Sequence, residues 1–178
     1  MVSISSVCIR NAIARWSYRV SVVLLAIAVM WMSVGERAIA QDRTVNYNGT
    51  ILQGRDMSET DYSGTTFVNA NMRNVDFHGS MMAGAILTKG VMIGANLAGA
   101  DLTAALVDRV SLDYADLHDA NLTSAIFAKT TWTDVDVTGA DFTDAILDRA
   151  AVNYLCQTAS GTNSVTGNDT RDSLGCRD

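Results

Sequence analysis

The chain has 178 residues and carries 13 Lys and Arg against 19 Asp and Glu, a formal net charge of −6. That acidic balance disfavours nucleic acid and anionic membrane surfaces as partners. No nucleophile–base pair, metal-ligand cluster or phosphate loop stands out, so the sequence reads as a non-enzyme with no cofactor and no bound metal.

Residues 1–40 have the layout of an export signal. Arg10, Arg15 and Arg19 form a basic opening, and Val20 to Val34 is an apolar core of 15 residues. That core is shorter than the roughly 20 residues of a membrane span. Ala38-Ile39-Ala40 fits a small-x-small cleavage pattern that would leave Gln41 first. An uncleaved anchor is the alternative. Cleavage would remove four of the 13 basic and one of the 19 acidic residues, leaving a net charge of −9 and no membrane attachment. It would also remove Cys8, so the exported form keeps only Cys156 and Cys176. An even pair in an exported chain suggests a disulfide. Closing a loop of about 20 residues would stabilise by about 3 kcal/mol on the chain-entropy view. A reactive pair is the other option, but neither a CxxC spacing nor a nearby His supports it.

After a short extension at 41–49, a strict period begins. Every fifth residue from Leu52 to Val152 is apolar. The residue two before each is Ala, Thr, Ser, Gly or Val at every repeat but one, Arg55. Residues five apart never share a helical stripe, and a straight strand would send them alternately to opposite faces. The inward spacing of 2, 3, 2, 3 therefore predicts a chain that bends once per five residues and winds into a coil. Ile86, Leu106, Ile126 and Ile146 recur every 20 residues, as do Lys89, Arg109, Lys129 and Arg149. Twenty is four fives, so each turn has four sides. Neighbouring turns would pair backbone to backbone at about 4.8 Å.

Ala95-Asn96-Leu97-Ala98-Gly99, Ala100-Asp101-Leu102, Ala115-Asp116-Leu117, Ala120-Asn121-Leu122 and Ala140-Asp141-Phe142 resemble the A(D/N)LXX motif of pentapeptide-repeat proteins. The resemblance implies an all-β fold, a right-handed quadrilateral β-helix of about five coils over residues 50–152. From Asn153 the phase breaks. Cys156-Gln157-Thr158-Ala159-Ser160-Gly161 and Thr170-Arg171-Asp172-Ser173-Leu174-Gly175-Cys176 resemble the disulfide-closed C-terminal segment of exported cyanobacterial members. By that resemblance residues 153–178 form a cap over the last turn, with Cys156 bonded to Cys176 and one short helix inside it. Leu147 and Val152 would lie beneath it. The same resemblance suggests the thylakoid lumen or the periplasm.

Outward residues sort into four sides. Asp76, Asp116 and Asp136 lie on one, with Asp56 and Asn96; Asp101 and Asp141 lie on the next, with Asp61 and Asn121. Together they form a candidate acidic face, either an electrostatic binding surface or a set of short side chains bonding to their own bends. The third side carries Ile86, Leu106, Ile126 and Ile146 edged by Lys89, Arg109, Lys129 and Arg149, a candidate protein-docking face. Its alternative is plain stacking between turns. His78 and His118 share the acidic side two turns apart, about 10 Å, too far to hold one metal ion. The sequence thus predicts an exported scaffold or protein-binding module, monomeric or weakly dimeric, with a protein partner it does not identify. The alternative, by family resemblance, is a DNA mimic that inhibits an enzyme such as gyrase.

Overall fold

The computed structural model describes residues 46–177. The export signal, Cys8 and most of the 41–49 extension lie outside the described residues. Within them the chain winds as a four-sided coil. Residues 20 apart form parallel bridges in an unbroken series, from Asn46↔Thr66 and Asp56↔Asp76 to Asn121↔Asp141 and Ile126↔Ile146. Three stacked segments extend into strands: β1 (Ile86–Thr88), β2 (Leu106–Asp108) and β3 (Ile126–Ala128). They form one parallel sheet in register, Ile86 beside Leu106 beside Ile126.

The period of five arises at the corners. Every fifth residue from Gly49 to Asp144 has φ between 48° and 71°, and eight of these 20 positions are Gly. One left-handed residue per repeat folds the chain inward again after each short extended stretch. At Gly139 (φ 71°) an added Cβ would also stand 2.1 Å from Asp119 Oδ1, so the site requires glycine on two counts.

The interior is the column that the periodicity describes. From Leu52 to Phe142 every fifth apolar side chain is buried. Leu97, Leu102, Leu112, Leu117 and Leu122 fill the middle turns at 2% exposure or less. Aromatic clusters fill both ends: Tyr47, Tyr62, Phe67 and Phe77 at one, with Tyr47 stacked on Phe67 at 5.1 Å, and Phe127, Trp132 and Phe142 at the other. The small residues line the column where backbone crowds it; Ala85, Ala105 and Ala125 are wholly buried. Arg55 and Thr60 hold the small-residue position in the first coil and are exposed. Among the described residues no turn lies beneath them.

Both limits of the coil differ from the 50–152 expected. At the start Asn46 already pairs with Thr66, and the Tyr47 amide donates to the Thr66 carbonyl at 2.8 Å. At the end the ladder stops at Ile146. Helix α1 (Arg149–Leu155) begins inside the last expected repeat, capped by Asp148, whose carboxylate accepts the Ala151 amide at 2.8 Å. Asp148 is a strong N-cap and Ala150-Ala151 favour helix, so local preference outweighs the period here. Ala150 is exposed, and Leu147 and Val152 are only half-buried. The tail also holds a second helix, α2 (Thr170–Leu174), where one was expected within it.

Cys156 and Cys176 are disulfide-bonded, Cα to Cα 5.6 Å, closing a segment of 20 residues. That segment, with α1, covers the last coil. A coil end exposes amides and carbonyls that would have paired with a further turn. Here cap groups stand in for them. The Gly139 amide donates to the Ser160 carbonyl at 2.8 Å, the Asp134 amide to the Tyr154 hydroxyl at 3.1 Å, and the Phe142 amide to Ser173 Oγ at 3.0 Å. Asn163, 2% exposed, gives one amide group to three carbonyls: Asp119 at 3.0 Å, Ala120 at 3.3 Å and Gly139 at 2.8 Å. Replacing Asn163 by Ala strands the Asp119 and Gly139 carbonyls, while Ala120 keeps the Asp141 amide at 2.9 Å, and the expected cost is about 2–3 kcal/mol. Thermal unfolding of that variant measures it; an unchanged melting temperature would mean the cap is held elsewhere.

Candidate functional site

The acidic columns are bound up in their own turns. Oδ1 of Asp76 accepts the His78 amide at 3.0 Å, that of Asp116 the His118 amide at 2.9 Å, and that of Asp136 the Thr138 amide at 2.9 Å. Asp101 does the same with Thr103 at 3.0 Å and Asp141 with Thr143 at 2.9 Å. These are turns closed by the side chain of Asp or Asn, which explains why the repeat places those residues there. The backbone amide of Thr138 heads the causes that hold Asp136 below its ordinary carboxyl range, and the Ser58 hydroxyl does so for Asp56.

Asp141 departs from the acidic face to which the sequence assigns it. It is wholly buried beneath the cap, its second oxygen accepting Asn168 Nδ2 at 2.9 Å. Burial is the largest influence on its carboxyl and pushes upward. Hydrogen bonds from Thr143, Asn168 and Thr166 outweigh it and hold the group below its ordinary carboxyl value. A carboxyl depressed in the folded state adds stability above its unfolded value and loses it as pH falls through the folded one. Wild type should therefore lose stability on acidification below about pH 4 more steeply than Asp141→Asn. Melting curves across that range test this, and parallel pH profiles would refute it.

His78 and His118 are exposed, each beside a carboxylate: His78 Nε2 is 3.9 Å from Glu59 and His118 Nε2 is 3.7 Å from Asp119. Among the described residues no His, Cys, Asp or Glu cluster could hold a metal ion. Hollows of about 590, 690 and 230 Å³ lie against the cap rather than within the column. The largest of these three is lined by Leu147, Arg149, Val152, Asn153 and the disulfide.

The aliphatic row is assembled by the sheet. Ile86, Leu106 and Ile126 stack through β1–β3, and Ile126 pairs with Ile146. Ile86 and Leu106 are half-buried, whereas Ile126 is 40% and Ile146 60% exposed. Lys89, Arg109 and Lys129 line one flank, all exposed, at corners with φ of 55°, 55° and 53°. Arg149, the fourth cation of the sequence row, leaves the ladder as the first residue of α1. Arg109 pairs with Asp108 at 2.6 Å. The opposite flank is low: Gly84, Ala104 and Ser124 hold the corners before each strand.

This flank is costly by local preference. Left-handed backbone disfavours a residue with a Cβ by about 1–2 kcal/mol, and only Gly, Asn or Asp adopt it readily. Elsewhere the corners use those types often, as at Gly94, Gly99 and Asp119. Three long cations stand at such corners, one per turn, and Glu59, Ala104, Tyr114 and Ser124 hold others at the same local cost. Of the eight Lys and Arg in the described residues, Lys89, Arg109 and Lys129 on this flank make three.

A family model for pentapeptide repeats matches residues 49–89 and 91–127 in eight copies. A solved pentapeptide repeat protein from the Arabidopsis thaliana thylakoid lumen is 35% identical, with a TM-score of 0.72, the match covering 74% of this chain and 91% of that one. A pentapeptide repeat protein from Nostoc PCC 7120 is 34% identical over 46% of this chain and 67% of its own, with a TM-score of 0.45. A search of curated proteins found no match. The fold and these similarities define a repeat solenoid of the β-helical class. The chain belongs to the pentapeptide-repeat family, and its coil is the right-handed quadrilateral β-helix of that family. Members of the family are generally structural or binding folds rather than enzymes.

Proposed function

We propose that this protein is an exported, non-enzymatic binding module that holds a protein partner on the third side of its coil. One observation carries the reading: a continuous aliphatic row, Ile86, Leu106, Ile126 and Ile146, on the flat strand-forming side, growing more exposed toward the cap. Solvent-facing aliphatic side chains in a contiguous row are a mark of interaction surfaces. A packed column leaves the coil no interior site for substrate, which favours contact over chemistry.

Export is supported by the basic-apolar-small layout of residues 1–40 and by likeness to a lumenal protein. Among the described residues no helix is long and apolar enough to cross a membrane. The acidic columns give less support to nucleic-acid mimicry, because their carboxylates close turns and Asp141 is buried.

The test is affinity capture of the protein from its native compartment, with wild type and the Leu106→Glu/Ile126→Glu variant side by side. Capture that depends on the row supports the reading. Partners retained unchanged by the variant would make the row structural only.

A further inference from the structure

We propose that the third side receives an acidic amphipathic helix of the partner protein, laid along the coil axis; this rests on the docking reading above. The row and its flank define the requirement. Aliphatic side chains climb the coil one per turn, at about 4.8 Å. Beside them, at the same pitch, stand Lys89, Arg109 and Lys129. A partner must therefore offer an apolar stripe with a carboxylate stripe alongside, both repeating near that pitch.

A helix supplies this. One turn advances about 5.4 Å, so residues three or four apart meet successive coils. An extended strand repeats one face every 6.6–6.8 Å or so and loses register within two coils. From Ile86 to Ile146 is three coil steps, about 14 Å. Nine or ten helical residues span that length. The low flank of Gly84, Ala104 and Ser124 leaves room for a cylinder about 10 Å across.

Charge separates this occupant from a second copy of the chain. The acidic columns of another copy have the right pitch, but no continuous aliphatic stripe runs beside them: Ser58, His78, His118 and Thr138 are polar, with Met81, Ala83 and Ala98 scattered among them. Seating the aliphatic row on those groups would desolvate them without replacing their bonds to water. Such a side-to-side contact is also heterologous, so it would build a ring or a filament rather than a two-fold dimer.

The experiment uses the full-length chain and two labelled helical peptides of about 14 residues. Both carry a Leu stripe; one is flanked by Glu and the other by Lys, and binding is read by fluorescence anisotropy. The Glu peptide should bind, weaken with added salt, and lose about tenfold or more in affinity to Leu106→Glu/Ile126→Glu. In Lys89→Glu/Lys129→Glu the preference should reverse toward the Lys peptide. Far-ultraviolet circular dichroism of that variant must match wild type, because an unfolded acidic chain would also favour the Lys peptide. Equal binding of both peptides, or binding of neither, overturns the proposal. Concentration-dependent self-association abolished by the same substitutions would assign the face to a second copy and overturn it as well. If capture depends on the row while the peptides fail, the helix inference falls and the docking reading stands. If capture ignores the row, the docking reading itself falls.

Discussion

Replacing Leu117 by Asp is expected to abolish folding of the coil. Leu117 is 1% exposed, and the ladder sets it between Leu97 and Val137, one turn away on each side. Water cannot reach a carboxylate there, and the surrounding side chains are aliphatic, with no donor to meet it. An unpaired charge in such a site costs more than the 5–15 kcal/mol by which a typical domain is stable. The control is Leu117→Ala, which removes the same packing without adding charge and should cost about 2–5 kcal/mol while leaving a folded protein. Far-ultraviolet circular dichroism and solubility distinguish the two. A soluble Asp variant with the wild-type spectrum would mean that these side chains do not line a dry interior.

Breaking the disulfide, by Cys156→Ser/Cys176→Ser, is expected to cost about 3 kcal/mol on the chain-entropy view. For a folded unit of this size that is a fall of roughly 10 °C in melting temperature. The loss should be spatially uneven. A solenoid turn contacts only its neighbours, so damage at one end travels weakly to the other. Asn163, Tyr154 and Ser173 still bond the cap to the last coil, so it should fray rather than detach. Hydrogen exchange should therefore rise first over 149–176 and at the amides of Asp134, Gly139 and Phe142, while the amides of Leu97 and Leu102 stay protected. Uniform loss of protection along the chain would show that coil and cap unfold as one unit.

The lining of the column was legible residue by residue, from Leu52 to Phe142, because every repeat meets the same surroundings. A position's fate then follows from its place in the period, with no knowledge of distant contacts. The same logic placed Ile86, Leu106, Ile126 and Ile146 on one side, and it read the acidic columns as turn-closing groups among their alternatives.

What the period could not show lies where it stops. Whether helix begins at Arg149 was decided by the Asp148 cap competing with one more repeat. Arg149 therefore leaves the cation row although its spacing matches. Asp141 occupies the same repeat position as Asp101, yet the cap covers it and not the other. Asn163 carries no sequence signal at all; its role comes from carbonyls 24 to 44 residues away. The sequence by itself determined the coil, its four sides and its lining, since those repeat every five residues through local geometry. Only the tertiary structure decided where the coil ends and which surface groups the cap buries, because contacts across long separations in a non-repeating segment have no period to reveal them.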